Sequence, residues 1–255
     1  MNMDNKTTDL SIPILKTKPK EKLFPGGYLP EPNFRLAIIG ASGSGKTYGL
    51  IAIMQKYMKG IFDRIYLFSP TADIKESNPW DELGLDQDRI HTEYNEQLIH
   101  NIIDEEREKK QLGVDSKTLI ILDDLADVIH AKRNNMITKI IVKVRHYCSI
   151  VLISQKWNLL QPTIRLNCNH LFIYPCKDRD ELKSLKQCCD CNDFEKMFKH
   201  ATKKREGDKI NSFLNINRDT NQFFRNLDTE LFESRDDDND KADDKSNEIE
   251  LVAEI

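Results

Sequence analysis

The stretch Phe34-Arg35-Leu36-Ala37-Ile38-Ile39-Gly40-Ala41-Ser42-Gly43-Ser44-Gly45-Lys46-Thr47 constrains the fold more than any other part of the chain. A short apolar strand runs without a break into G-x-x-x-x-G-K-[ST], the pattern of a phosphate-binding loop. Gly40, Gly43 and Gly45 let the backbone turn tightly, so that successive N–H groups of residues 40–47 converge on a nucleoside triphosphate such as ATP. Lys46 then reaches the β- and γ-phosphates, and the Thr47 hydroxyl is placed to ligate Mg²⁺. Leu50, Ile51, Met54, Tyr57 and Met58 follow at helical spacing, so the phosphates also meet the positive end of a helix. This succession implies an α/β phosphate-loop NTPase, with a mostly parallel sheet and helices on both faces.

The rest of the chain repeats the alternation. Residues 63–70 end a second strand at Pro70, and residues 71–88 read as a polar excursion over the surface, with Pro79-Trp80 inside it. A short strand is expected at 89–92 and an amphipathic helix over 95–111, carrying Leu98, Ile99, Ile102 and Ile103 on one face. Thr118-Leu119-Ile120-Ile121-Leu122-Asp123-Asp124 is a continuous apolar run ending in two carboxylates, as suits a strand buried on both sides. A helix over about 133–146, a strand over 148–153 ending at Ser154-Gln155, and another apolar segment at 170–174 follow. Residues 178–207 read as helical and basic, and 212–217 and 222–226 as a paired hairpin.

In open α/β sheets, ligands sit beyond the carboxyl ends of the strands. Asp123, Asp124 and Gln155 all fall at such ends. With Lys46 and Thr47 they form one candidate site. Asp123 would hold Mg²⁺, largely through water. Asp124 would orient and deprotonate an attacking water, and Gln155 would sense the γ-phosphate. Phosphoryl transfer of this kind uses a further positive group, often an arginine from a neighbouring subunit. The candidates are Arg145, just before the Gln155 strand, and Arg165, in the loop after it.

Charge is unevenly spread. Between residues 233 and 255, ten acidic and three basic side chains leave a tail of −7, against +3 for the remainder. The tail has too little apolar surface to offset ordering entropy, so residues 233–255 read as a disordered acidic tail. Residues 1–33, rich in proline and lysine, read as a flexible arm, leaving 34–232 as the ATPase domain. The first 22 residues lack the apolar stretch of a signal peptide, and no apolar run reaches membrane-spanning length. A cytosolic protein with no membrane insertion is expected. Cys176, Cys188, Cys189 and Cys191 lie close together, but without paired C-x-x-C spacing they read as reduced thiols rather than a zinc site.

Taken in order, the 34–47 run, 65–70, 119–127, Arg145-His146, 149–155 and 167–172 resemble the packaging ATPases of poxviruses and other large nucleocytoplasmic DNA viruses, within the FtsK/HerA superfamily of DNA-pumping motors. That resemblance implies an extra strand, the Gln155 strand, between the loop strand and the Asp123 strand. It also implies a homo-oligomeric ring that uses ATP hydrolysis to drive double-stranded DNA into a preformed capsid, with partners at the capsid vertex. The setting would be the host cytoplasm, at the viral assembly site, or the virion. The position after the magnesium aspartate, often glutamate, is Asp124 here. Basic residues 196–205 and the 158–167 loop are candidate contacts to DNA phosphates, independent of sequence. Competing readings are a cellular DNA pump or helicase of the same superfamily, a phosphate-loop nucleotide kinase, and a nucleotide-gated assembly protein.

Overall fold

The computed structural model describes residues 22–73, 78–125, 136–189, 191–205 and 211–233. Its elements are β1 (Arg35–Ile39), α1 (Lys46–Tyr57), β2 (Arg64–Phe68), β3 (Ile90–His91), α2 (Glu96–Gln111), β4 (Thr118–Asp123), α3 (Met136–Val144), β5 (Cys148–Ser154), α4 (Pro162–Asn167), β6 (His170–Ile173), α5 (Arg179–Cys188), α6 (Phe194–Thr202), β7 (Leu214–Asn217), β8 (Gln222–Arg225) and β9 (Thr229–Leu231).

The strands form one sheet in the order β3-β2-β4-β5-β1-β6-β7-β8-β9. From β3 to β6 all neighbours are parallel. β7, β8 and β9 add an antiparallel extension, with the 222–225 strand pairing across a turn as its alternation implies. β5 lies between β1 and β4, which is the extra strand implied by the resemblance.

The apolar runs are continuous because their strands are covered on both sides. Leu36, Ile38, Leu119, Ile121, Val151 and Ile153 point to one face, where α1 packs Leu50, Ile51, Ile53 and Met54. Ala37, Ile39, Ile120, Leu122, Ile150 and Leu152 point to the other, against Ile99, Ile102 and Ile103 of α2, Ile140, Ile141 and Val144 of α3, and Phe194, Met197 and Phe198 of α6. Asn95 caps α2 by accepting the Leu98 N–H through its side chain.

Four stretches differ from their sequence reading. The 158–167 loop contains a helix: Pro162 occupies the first turn of α4, where its missing N–H costs nothing, and Ile164 is fully buried. The basic helical stretch from 178 is two helices, α5 ending at Cys188 and α6 beginning at Phe194, and residues 190 and 206–210 lie outside the described residues. The excursion over 71–88 is anchored, since Trp80 is buried at 1% exposure under a short 3₁₀ turn, Pro79–Leu83. The boundary expected at residue 33 falls inside packed chain. The Glu31 carboxylate accepts the N–H groups of Leu23 and Phe24, Leu29 is buried, and Asn215 and Asn217 donate to the carbonyls of Tyr28 and Gly27. Residues 1–21 and the acidic tail from 234 lie outside the described residues, as do positions 133–135 of the expected helix that α3 continues.

Candidate active site

β1 delivers the chain to the carboxyl end of the sheet, and residues 40–45 turn it back into α1. Gly43 and Gly45 take φ of 72° and 91°, a region that a side chain on Cβ disfavours. Gly40 is required for a different reason. A Cβ there would come within 2.6 Å of Tyr174 Cβ and 2.8 Å of Ser44 Oγ. A Cβ at Gly49 would collide with the Tyr174 hydroxyl, so the first turn of α1 is also pressed against that ring. The Lys46 ammonium lies inside the loop, donating to the carbonyls of Gly40 (2.8 Å) and Ala41 (2.9 Å). Burial lowers its pKa, and the charges of Asp124 and Asp123 oppose that shift.

β4 and β5 bring the polar groups to the same end. A cleft of about 250 Å³ is lined by Ser42, Gly43, Gly45, Lys46 and Thr47 from the loop, Asp123 and Asp124 at the end of β4, and Ile153 and Gln155 at the end of β5. Asp123 is 6% exposed and accepts a hydrogen bond from the Ser69 hydroxyl at 3.1 Å. Burial raises its pKa to about 6; Ser69 opposes the shift, Asp124 adds to it, and the Lys46 charge opposes it. The Trp80 indole N–H also lowers it, from nearby but outside hydrogen-bonding geometry. Asp124 is exposed and adopts φ 52°, a left-handed conformation unusual for a residue other than glycine, Asn or Asp. Its backbone N–H donates to Ile153 O at 3.2 Å, which ties β4 to β5 at that turn. The Gln155 amide donates to both Asp124 carboxylate oxygens, at 3.2 and 3.1 Å.

Thr47 and Asp123 suit a hard divalent cation, being a hydroxyl and a carboxylate in one cleft. The raised pKa of Asp123 points the same way, because a buried carboxylate lacks the positive charge that Mg²⁺ would supply. The six cysteines are free thiols, with Cys188 and Cys189 Sγ atoms 3.8 Å apart. Among the described residues, no group of three or more His, Cys, Asp or Glu is arranged to hold a metal ion.

Both candidate arginines lie at the opposite end of the sheet. Arg145 precedes β5, whose first residue pairs with the first residue of β4. Arg165 lies in α4, which ends three residues before β6. The seven residues of β5 separate Arg145 from the cleft by about 23 Å, whereas the Arg165 side chain reaches back to Asn158, three residues after Gln155. The two arginines differ in their surroundings. Arg165 donates to Asn158 Oδ1 (3.2 Å) and Ser184 Oγ (3.3 Å) and lies over the Trp157 ring. Arg145 is exposed, and its Nε donates to Nε2 of the adjacent His146 at 3.1 Å.

Ser69, Thr71, Tyr48 and Trp80 are site residues that the sequence reading missed. Ser69 had a signal: it follows β2, a strand beside β4, so it stands at a carboxyl end like the others. Trp80 had none, because its approach to Asp123 depends on how the 71–80 chain folds back.

A loop of this geometry feeding a Lys–Asp–Asp–Gln cleft, with β5 inserted between the loop strand and the Asp123 strand, gives this chain the fold of a phosphate-loop NTPase. Residues 21–227 match the family described as Poxvirus A32 protein, and the chain belongs to that family. Its structure is similar to B204, the DNA-packaging ATPase from Sulfolobus Turreted Icosahedral Virus. The two are 16% identical, with 75% of this chain and 96% of that one covered, at a TM-score of 0.54. It is also similar to the genome packaging NTPase B204 from Sulfolobus turreted icosahedral virus 2 in complex with ATP-gammaS, at 14% identity, 74% and 94% coverage and a TM-score of 0.51. The AMPPCP complex of that protein gives 13%, 75%, 95% and 0.51. At such identities the likeness establishes the fold. No curated protein matches the sequence significantly.

Proposed function

We propose that this protein is an ATP-hydrolysing DNA translocase that packages double-stranded viral DNA into a preformed capsid. The observation that carries the hydrolytic half of the proposal is the contact between Gln155 and Asp124 at the mouth of the phosphate loop. A kinase would need to keep water out, whereas a carboxylate held by an amide beside the γ-phosphate position serves to aim water at it.

Each residue has a distinct task. The loop N–H groups and the N-terminus of α1 receive the phosphates. Lys46 exchanges the Gly40 and Ala41 carbonyls for the β- and γ-phosphates, so its present contacts hold the loop open for ligand. Thr47 and Asp123 would hold Mg²⁺, which neutralises charge developing on the transferred phosphoryl group. Asp124 accepts a proton from water as the water oxygen bonds to the γ-phosphorus and the bond to the β-phosphate oxygen breaks, giving ADP and phosphate. Gln155 is shared between Asp124 and the γ-phosphate. When a triphosphate is present the amide turns to it and releases the carboxylate to act on water.

Among the described residues Lys46 is the one cation lining the cleft; a second positive group would come from a neighbour in a ring, and Arg145 suits that task better than Arg165 because it is exposed. Membership of the Poxvirus A32 family favours packaging over a cellular DNA pump, and supports the host cytoplasm as the place of action. The DNA-packaging role named for B204 supports the same reading. No helix among the described residues is long and apolar enough to cross a membrane. DNA would be gripped through its phosphates, as suits a motor that must move along any sequence.

Steady-state ATP hydrolysis, with and without double-stranded DNA, tests the proposal beside Lys46→Ala and Asp124→Asn. Turnover stimulated by DNA and lost in both variants is the expected result. An assembled wild-type ring that hydrolyses nothing with DNA present would sink it.

A further inference from the structure

Asn211 stands just before β7, in the antiparallel extension, far in sequence from the phosphate loop. Its side-chain Nδ2 nevertheless donates to the Ser44 carbonyl at 2.9 Å, across 167 residues. Asn211 atoms are also the nearest neighbours of the position a Cβ would take at Gly45, at 3.8 and 4.0 Å. We infer that Asn211 is a positioning residue: it fixes the plane of the Ser44–Gly45 peptide so that the loop is set to receive a β-phosphate. The inference rests on the reading of the cleft as an ATP site.

The argument follows from peptide geometry. In a trans peptide the C=O and N–H point in opposite directions. With the Ser44 carbonyl turned outward to Asn211, the Gly45 N–H is turned the other way, toward the cleft that Gly43, Gly45 and Lys46 line. That N–H belongs to the group of donors that cradles phosphate in loops of this pattern. The loop cannot guarantee the orientation by itself. Gly45 sits at φ 91°, and glycine accepts either sign of φ with little penalty, so the peptide before it is free to flip. The residue that makes the turn possible therefore leaves one donor undirected, and Asn211 supplies the direction.

Asn211 is itself held. Ser212 Oγ accepts from the buried Arg225 guanidinium at 2.8 Å. The Phe213 N–H donates to Asn226 Oδ1 at 3.1 Å, and the Asn226 N–H donates to Phe213 O at 2.9 Å. The Phe213 ring stacks on Tyr174 at 5.0 Å, and Tyr174 lies against Gly40 through its Cβ and against Gly49 through its ring. One strut from the extension thus supports the loop at its start, through Tyr174, and at its end, through Asn211.

The test is competition binding of ATP, ADP and AMP against a fluorescent ATP analogue, with Mg²⁺, for full-length wild type, Asn211→Ala and Asn211→Asp. Melting temperature is measured alongside. Losing one hydrogen bond that selects a loop conformation should weaken ATP and ADP binding in Asn211→Ala by roughly three- to tenfold. AMP has no β-phosphate, so its affinity should stay within about twofold. Asn211→Asp should be weaker than Asn211→Ala for ATP, because a carboxylate cannot donate to the Ser44 carbonyl and repels it. Melting temperatures should agree within about 2 °C, as expected for a contact at a part-exposed loop. Unchanged ATP affinity in Asn211→Ala, beside a wild type that binds ATP, overturns this inference alone. Equal weakening for ATP, ADP and AMP also overturns it, by pointing to general damage. A wild type that binds no ATP overturns the ATP-site reading and this inference together.

Discussion

The two ends of the sheet carry opposite chemistry. At the carboxyl ends, Asp123, Asp124 and Gln155 surround a single lysine in a cleft shaped for phosphates. At the amino ends lie Arg35, Arg145, Arg165 and Arg218, with Leu112, Val114 and Leu166 exposed nearby. The carboxyl end has the residues proposed as base, metal ligands and sensor, but Arg145, the proposed source of the charge that stabilises the transition state, precedes a strand whose length places it about 23 Å away within the same chain. Under the proposed function, that contrast makes each end a half-site, the amino end of a ring neighbour completing the carboxyl end of the next chain. It also ranks the arginines, since Arg165 is occupied by Asn158, Ser184 and Trp157 whereas Arg145 is not so enclosed.

The largest expected effect is at the amino end. Arg145→Ala should lower kcat by ~10³–10⁵ while leaving ATP affinity nearly unchanged, the signature of a group that acts only in the transition state. Single-turnover hydrolysis and ATP binding on the same preparation would check it. At the carboxyl end, Asp124→Asn should lower kcat by ~10²–10⁴. Asparagine tolerates the left-handed φ of 52°, so this variant removes the base without disturbing the turn, and an unchanged melting curve should confirm that.

A pH profile separates the two acidic residues. Burial raises the Asp123 pKa to about 6, so in the ligand-free chain its protonated form prevails below about pH 6. That preference stabilises the ligand-free protein at pH values below the ordinary carboxyl pKa and is lost as pH rises through about 6. Binding of Mg²⁺ and ATP needs the ionised form, so kcat/KM should fall below about pH 6, and the acid limb of kcat should lie lower because the bound cation holds Asp123 ionised. Coincident limbs would contradict the assignment of Asp123 as metal ligand. The smallest catalytic effect is expected for Arg165→Ala. It should cost ~1–3 kcal/mol in stability through lost hydrogen bonds while kcat, measured below the melting range, changes less than about threefold. A large loss of kcat with no loss of stability would exchange the roles of the two arginines.

Much of the site was legible because its residues obey local rules. Lys46 and Thr47 lie in a contiguous motif, and Asp123, Asp124 and Gln155 each end an apolar run, a position that parallel sheets reserve for ligands. Helix α1, strands β4 and β5 and the β7–β8 hairpin were readable from periodicity for the same reason. The strand order was not, since nothing in a single strand's sequence says which neighbour it takes, and the place of β5 came from resemblance. Trp80 and Asn211 were missed because each acts through a contact made only when distant segments meet, whereas Ser69 carried the strand-end signal and was passed over. Residues 22–33 were read as a free arm from their prolines and glycines, yet Leu29 and the Glu31 cap show that turn-rich chain can still be packed. In α4 a six-residue helix was too short to display a period, although its opening proline suits the first turn of a helix.

The most direct test mixes two dead proteins. Lys46→Ala removes the loop lysine but keeps Arg145, and Arg145→Ala does the reverse. In a random equal mixture about a quarter of the head-to-tail interfaces would pair an intact loop with an intact arginine. Each variant alone should be inactive, and the mixture should regain DNA-stimulated ATP hydrolysis toward that fraction of wild type. A mixture that stays inert although sedimentation shows mixed rings, or an Arg145→Ala protein as active as wild type, would contradict the claim that the cleft is completed by the amino end of a neighbour.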